Sequence, residues 1–120
     1  MKKFITATQA NQAQKLSLYS EDGKEFYLMI LSAYSNEFKL RKNAILREAA
    51  KAATEGKYSD QLQVDLMAKL AASTIVDWNL PEEEGAYSKE SAERLLMTYP
   101  EIFEAVDAFG SKNDNFIKKN

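Results

Sequence analysis

In the stretch Lys15-Leu16-Ser17-Leu18-Tyr19-Ser20-Glu21-Asp22-Gly23-Lys24-Glu25-Phe26-Tyr27-Leu28-Met29-Ile30-Leu31, two runs of alternating residues flank an Asp-Gly pair. Leu16 and Leu18 alternate with Lys15 and Ser17. Phe26, Leu28 and Ile30 alternate with Tyr27, Met29 and Leu31. A period of two on either side of a turn dipeptide is the pattern of a β-hairpin. The second run is apolar on both faces, which an isolated hairpin cannot sustain in water. Helices must therefore cover one face, and a neighbouring subunit is a candidate cover for the other.

Beyond the hairpin the period changes to that of helices. Ser35 is a suitable N-cap, its hydroxyl able to take a free backbone N–H of the first turn. Phe38, Ile45, Ala49 and Ala53 then form an apolar stripe, with Arg41, Lys42 and Lys51 elsewhere on the wheel. This helix is predicted to reach about Thr54, with Gly56 ending it. Ser59-Asp60 opens a second helix, in which Leu62, Leu66 and Leu70 recur with Met67, Ala71 and Ile75 beside them, predicted to run to about Val76. Asp77-Trp78-Asn79-Leu80-Pro81 breaks the pattern, and Glu82-Glu83-Glu84-Gly85 reads as an acidic loop. Ser88 caps a short third helix through Met97. Pro100 opens a fourth, with Ile102, Phe103, Val106 and Phe109 as its apolar face. On the other side of the hairpin, Met1 to Gln14 is polar with neither period and reads as a flexible arm. The expectation is an α+β fold, mainly α. An N-terminal β-hairpin is followed by about four α-helices in one compact domain over residues 15–120.

Composition narrows the chemistry. The 120 residues contain no cysteine and no histidine. Disulfides, thiolate nucleophiles, imidazole metal sites, and Ser-His-Asp and Cys-His catalytic arrangements are thus unavailable. The best remaining catalytic candidates are the carboxylates of Asp77, Glu82, Glu83 and Glu84. Three successive glutamates point in different directions and repel one another, and a calcium loop needs alternating oxygen ligands with a turn glycine and a closing Glu. A solvated loop is the better reading. The four glycines, Gly23, Gly56, Gly85 and Gly110, are scattered, so no phosphate cradle opens a helix. The sequence predicts no catalytic residue, no metal and no cofactor.

Sixteen basic against eighteen acidic residues leave a formal charge of -2. That balance argues against a dedicated nucleic-acid binder, whose affinity comes chiefly from neutralising phosphates. The longest apolar run, Phe26 to Leu31, is far short of the roughly 20 residues that cross a bilayer. The polar residues after Met1-Lys2-Lys3-Phe4-Ile5 form no signal-peptide core, so a cytoplasmic protein is expected. The small net charge hides a polarity. Asn36 to Lys57 holds six basic residues against three acidic, a net of +3, while Asp77 to Asp107 holds nine acidic against two basic, a net of -7. Separated blocks of opposite sign favour self-association or a partner of defined charge.

The second half of the chain resembles the tail assembly chaperones of long-tailed, siphovirus-type bacteriophages. The residues that carry the likeness are Ile75-Val76-Asp77-Trp78, an acidic loop with Gly85, Tyr87-Ser88 and Leu95-Leu96. They continue through Tyr99-Pro100-Glu101-Ile102-Phe103, Val106 and Asn115-Phe116-Ile117. A looser match, in the hairpin around Asp22-Gly23 and in Ser35 to Arg41, extends it to about Leu16 to Ile117. These are packing and capping motifs, and the resemblance brings no catalytic residue with it. It implies a non-enzymatic protein in the cytoplasm of the bacterial host. Such a protein binds the long, aggregation-prone tape measure protein, keeps it soluble while the tail assembles, and is absent from the mature virion. The tail tube protein is a second candidate partner, self-association is expected, and neither nucleic acid nor membrane is. Charge and apolarity place the expected contact surface on Phe26, Leu28 and Ile30, or on the opposite face of the same strand (Tyr27, Met29, Leu31), together with Arg41, Lys42 and Lys51. Two rival readings remain open: a structural head-tail or tail-tube component, and a small regulatory protein that binds a host protein.

Overall fold

The structure is a computed structural model and describes residues 4–117. It is an α+β fold, mainly helical, in which a three-stranded antiparallel sheet packs one face against a group of helices. The hairpin is formed by β1 (Gln14–Tyr19) and β2 (Glu25–Ile30), paired without a register break from Gln14 opposite Ile30 to Tyr19 opposite Glu25. The turn forms where the Asp-Gly pair predicts it. Gly23 adopts φ 83°, a region that favours glycine, and its N–H bonds to the Ser20 carbonyl at 2.9 Å. The Asp22 carboxylate accepts from the Ser20 hydroxyl and from the Lys24 N–H. The Ser20 bond is the main cause that holds its carboxyl below the usual aspartate range.

The third strand, β3 (Ile75–Trp78), is a correction to the sequence reading, which extends the preceding helix to Val76 and makes a loop of the residues after it. That helix, α3 (Asp60–Ala72), stops earlier for a local reason. The Ser73 and Thr74 hydroxyls turn back onto the carbonyls of Leu70 and Ala71, taking the last acceptors of the helix. The β-branched run Thr74-Ile75-Val76 then favours extended backbone. β3 pairs with β2, Leu28 opposite Trp78 and Ile30 opposite Ile75, with a bulge between Met29 and Ile30. Asn79 prolongs the ladder: its side-chain oxygen accepts the Tyr27 N–H at 2.7 Å, and its own N–H reaches the Tyr27 carbonyl.

The remaining helices lie close to expectation. The first long helix runs from Asn36 to Thr54 with Ser35 as its cap; a third spans Lys89–Thr98, capped by Ser88; a fourth spans Pro100–Ser111 with its proline at the first position. Residues Thr6 to Asn11, in the stretch expected to lack any element, hold a short helix over Ala7–Ala10. The cause is a reciprocal cap between Thr6 and Gln9. In chain order these are α1 (Ala7–Ala10), α2 (Asn36–Thr54), α3, α4 (Lys89–Thr98) and α5 (Pro100–Ser111). α1 is tied to the segment before α2: the Ala10 carbonyl accepts the Ser32 N–H, and the Asn11 side chain accepts the Asn36 N–H at 2.8 Å.

The core lies between the Leu28–Ile30 face of the sheet and helices α3, α4 and α5. It is built from Leu28, Ile30, Ala71, Ala72, Ile75, Trp78, Leu95, Leu96, Val106 and Phe116, with Leu16 and Leu18 partly buried against it. Gly110 explains why α5 continues where its sequence predicts a break. The chain before α2 crosses it closely, with the Ala33 N–H bonded to the Gly110 carbonyl at 2.9 Å.

Candidate functional site

α2 is nineteen residues long, yet Ile45 is its one fully buried side chain. Its inner stripe, including Phe38, Ile45 and Ala49, turns toward α3. On other sides of the same helix Leu40 is 67% and Leu46 58% exposed. Two leucines off the packed face of one helix form a surface that the fold itself does not use.

Leu40 stands on the wall of an open groove of about 1070 Å³. One wall is the N-terminal half of α2, with Glu37, Leu40, Arg41 and Ala44; the facing wall is the start of α4, with Lys89, Glu90 and Glu93. The floor is the end of α3 and β3, with Ala72, Ile75 and Val76, and Tyr87 beside them. Small side chains at Ala44, Ala72 and Ser73 keep it open, and Val76 on the floor is 39% exposed. An α-helix about 10 Å across occupies roughly 420 Å³ a turn, so the groove has room for about two turns.

Its rim carries both signs of charge. Arg41 reaches across to Glu93, Nη2 to Oε1 at 3.4 Å, and so links α2 to α4. Both side chains are about a third exposed, where such a pair contributes at most about 1 kcal/mol, so an incoming side chain can displace it at little cost. The floor is fixed from below. The Tyr87 hydroxyl donates to the Ile75 carbonyl at 2.6 Å, and the Tyr87 ring meets Trp78 edge to face with centroids 5.4 Å apart. Burial, and then the carboxylates of Asp77 and Glu37, hold the Tyr87 phenol above its ordinary pKa, so it stays a neutral donor. Trp78 in turn donates from Nε1 to the Gly85 carbonyl at 3.2 Å, which fastens the acidic loop alongside β3. In that loop Glu82 and Glu83 are exposed and Glu84 accepts from the Tyr99 hydroxyl at 2.9 Å. The Glu84 bond is the first cause of the raised Tyr99 pKa.

The structure divides the expected contact residues. Leu28 and Ile30 are both 0% exposed and belong to the core, so they cannot meet a partner without unfolding the sheet; this corrects the sequence reading. The misreading has a plain origin: a strand apolar on both faces does not say which face the helices take. Phe26, near the turn, is partly exposed with the Lys24 ammonium 5.6 Å from its ring centre, and Tyr27 and Met29 are partly exposed on the other face. Leu31 is buried and backs the groove. Arg41 is in the groove, whereas Lys42 and Lys51 are on other parts of α2 and do not line it. Sequence reasoning missed Leu40, Ile75, Val76 and Tyr87 as groove residues. Leu40 and Leu46 did carry a signal, since neither falls on the stripe of Phe38, Ile45 and Ala49.

Among the described residues no three Asp or Glu side chains gather as a metal site, and no helix is long and apolar enough to cross a membrane. The groove offers van der Waals surface with a charged rim, an arrangement suited to holding a chain. No curated protein and no solved structure shows significant similarity to this sequence. A family model described as YdaY prophage protein matches residues 29–120, from within β2 through the groove and all of α2 to α5. The chain thus belongs to the YdaY prophage protein family and is phage-derived.

Proposed function

We propose that this protein is a tail assembly chaperone that binds the tape measure protein and keeps it soluble in the host cytoplasm until the tail is built, leaving before the virion is mature. The observation that carries this reading is the open groove with Leu40 on its wall and Val76 on its floor, beside a helix that also exposes Leu46. A long helical client exposes apolar stripes that would otherwise pair with one another. A groove two turns long, with mixed charge at its rim, covers such a stripe and accepts flanking residues of either sign. Prophage membership and the resemblance to tail assembly chaperones both favour a role in phage assembly. The work is sequestration, with no bond made or broken.

Co-expression with the tape measure protein from the same phage genome tests the proposal. The expected result is a rise in soluble tape measure and its elution together with this chain. A tape measure that stays insoluble, with nothing co-purifying, would overturn it. Mass spectrometry of purified virions adds an independent check: a tail-tube component persists in the particle, and a chaperone does not.

A further inference from the structure

We propose that β1 is the seam of a symmetric dimer, in which the β1 strands of two copies pair antiparallel about Ser17 and join two three-stranded sheets into one of six strands. This rests on the sheet edge and is independent of the client-binding proposal.

β1 is the outer strand of the sheet, with β2 on one side and, among the described residues, no strand on the other. The Ser20 N–H bonds inward to the Lys24 carbonyl, so Ser20, Leu18, Leu16 and Gln14 face β2, and Lys15, Ser17 and Tyr19 direct their N–H and C=O groups outward. Folded proteins commonly blunt such an edge with a bulge, a proline or a cover. β1 has none of these among the described residues: its six residues contain no Pro or Gly, and its register is unbroken. The opposite edge is treated differently. β3 is four residues long, the bulge lies on its side of β2, and Tyr87 and Gly85 bond along it.

The pattern on β1 selects a second copy as the occupant. Pairing about Ser17 sets Lys15 opposite the partner's Tyr19 and Leu16 opposite the partner's Leu18, each twice by symmetry. Tyr19 is 69% exposed, and its hydroxyl donates to Glu25 at 3.0 Å, so each Lys15 ammonium meets an aromatic ring backed by a carboxylate. Lys15 already makes this kind of contact within its own sheet, 5.1 Å from the Tyr27 ring centre. On the other face the partly buried Leu16 and Leu18 continue the apolar layer across the seam. The outward groups of Lys15, Ser17 and Tyr19 supply about six backbone hydrogen bonds.

The chain has no cysteine, so single replacements report the register directly. In this dimer the two Ser17 Cα atoms lie about 5.5 Å apart, within disulfide range. Two Ser20 Cα atoms lie about 20 Å apart. The full-length Ser17→Cys protein is expected to oxidise to a covalent dimer, and Ser20→Cys to remain uncrosslinked. Ser17→Pro removes an outward N–H that the β1–β2 ladder does not use, a position where an edge strand tolerates proline. With far-UV circular dichroism unchanged, it is expected to weaken dimerisation in sedimentation equilibrium by roughly tenfold or more. A wild-type chain that sediments as a monomer, or Ser17→Cys and Ser20→Cys variants that crosslink equally, would overturn the proposal.

Discussion

Replacing Leu28 by alanine separates a core role from a contact role for the central strand. Leu28 is wholly buried, stands opposite Trp78 in the β2–β3 ladder and opposite Leu16 in the β1–β2 ladder, and shares the core with Leu95, Leu96 and Val106. Truncation removes the transfer free energy of the lost carbons and leaves a cavity that strands on both sides prevent from closing. Comparable fully buried Leu→Ala changes cost about 2–5 kcal/mol. The rigid surroundings place this one in the upper half of that range, near 4 kcal/mol. A domain of this size has a total stability of about 5–15 kcal/mol, so the variant should fold only marginally at 37 °C. Urea unfolding followed by Trp78 fluorescence is the assay, because the indole packs within the affected layer. The midpoint should fall sharply with the slope unchanged. A Leu28→Ala protein with wild-type stability that nevertheless failed to hold a client would refute the burial argument and return this residue to the contact surface.

Other expectations follow from single contacts. Tyr87→Phe removes the hydroxyl that donates to the Ile75 carbonyl and should cost about 1–2 kcal/mol in the same unfolding assay. Because burial raises the Tyr87 pKa in the folded state, its contribution is complete below about pH 10, the unfolded value, and is lost as pH rises through the folded one. Wild-type stability should accordingly fall in that alkaline window more steeply than that of Tyr87→Phe. Gly110→Ala should be neutral or stabilise by up to about 1 kcal/mol in thermal denaturation, since the added Cβ meets the Leu31 carbonyl at an ordinary 3.5 Å within a helix. Arg41→Ala should change stability by less than about 1 kcal/mol, because its pair with Glu93 is partly solvated.

Much of the fold was legible because its signals are local. The Asp22-Gly23 turn, the caps at Ser35, Ser59 and Ser88, and Pro100 at a helix start each act through their nearest neighbours, and each lies where sequence reasoning puts it. β3 was not legible, because Ile75 and Val76 extend the apolar run of α3 and become a strand only through pairing with β2, more than forty residues earlier. The groove shares that difficulty. Its walls come from α2 and α4, its floor from α3 and β3, and no single segment shows it. The contact residues on β2 were misplaced for a related reason: strand alternation gives two faces, and tertiary packing chooses between them.

Photo-crosslinking from the groove tests the client-binding account most directly. A benzoylphenylalanine at Val76, on the groove floor, is compared with one at exposed Glu104 on α5, in cells that also produce the tape measure protein. The account predicts that Val76 captures the tape measure and Glu104 does not. Capture from Glu104 alone, or from neither position while the two proteins still co-purify, would contradict it and place the client on another surface.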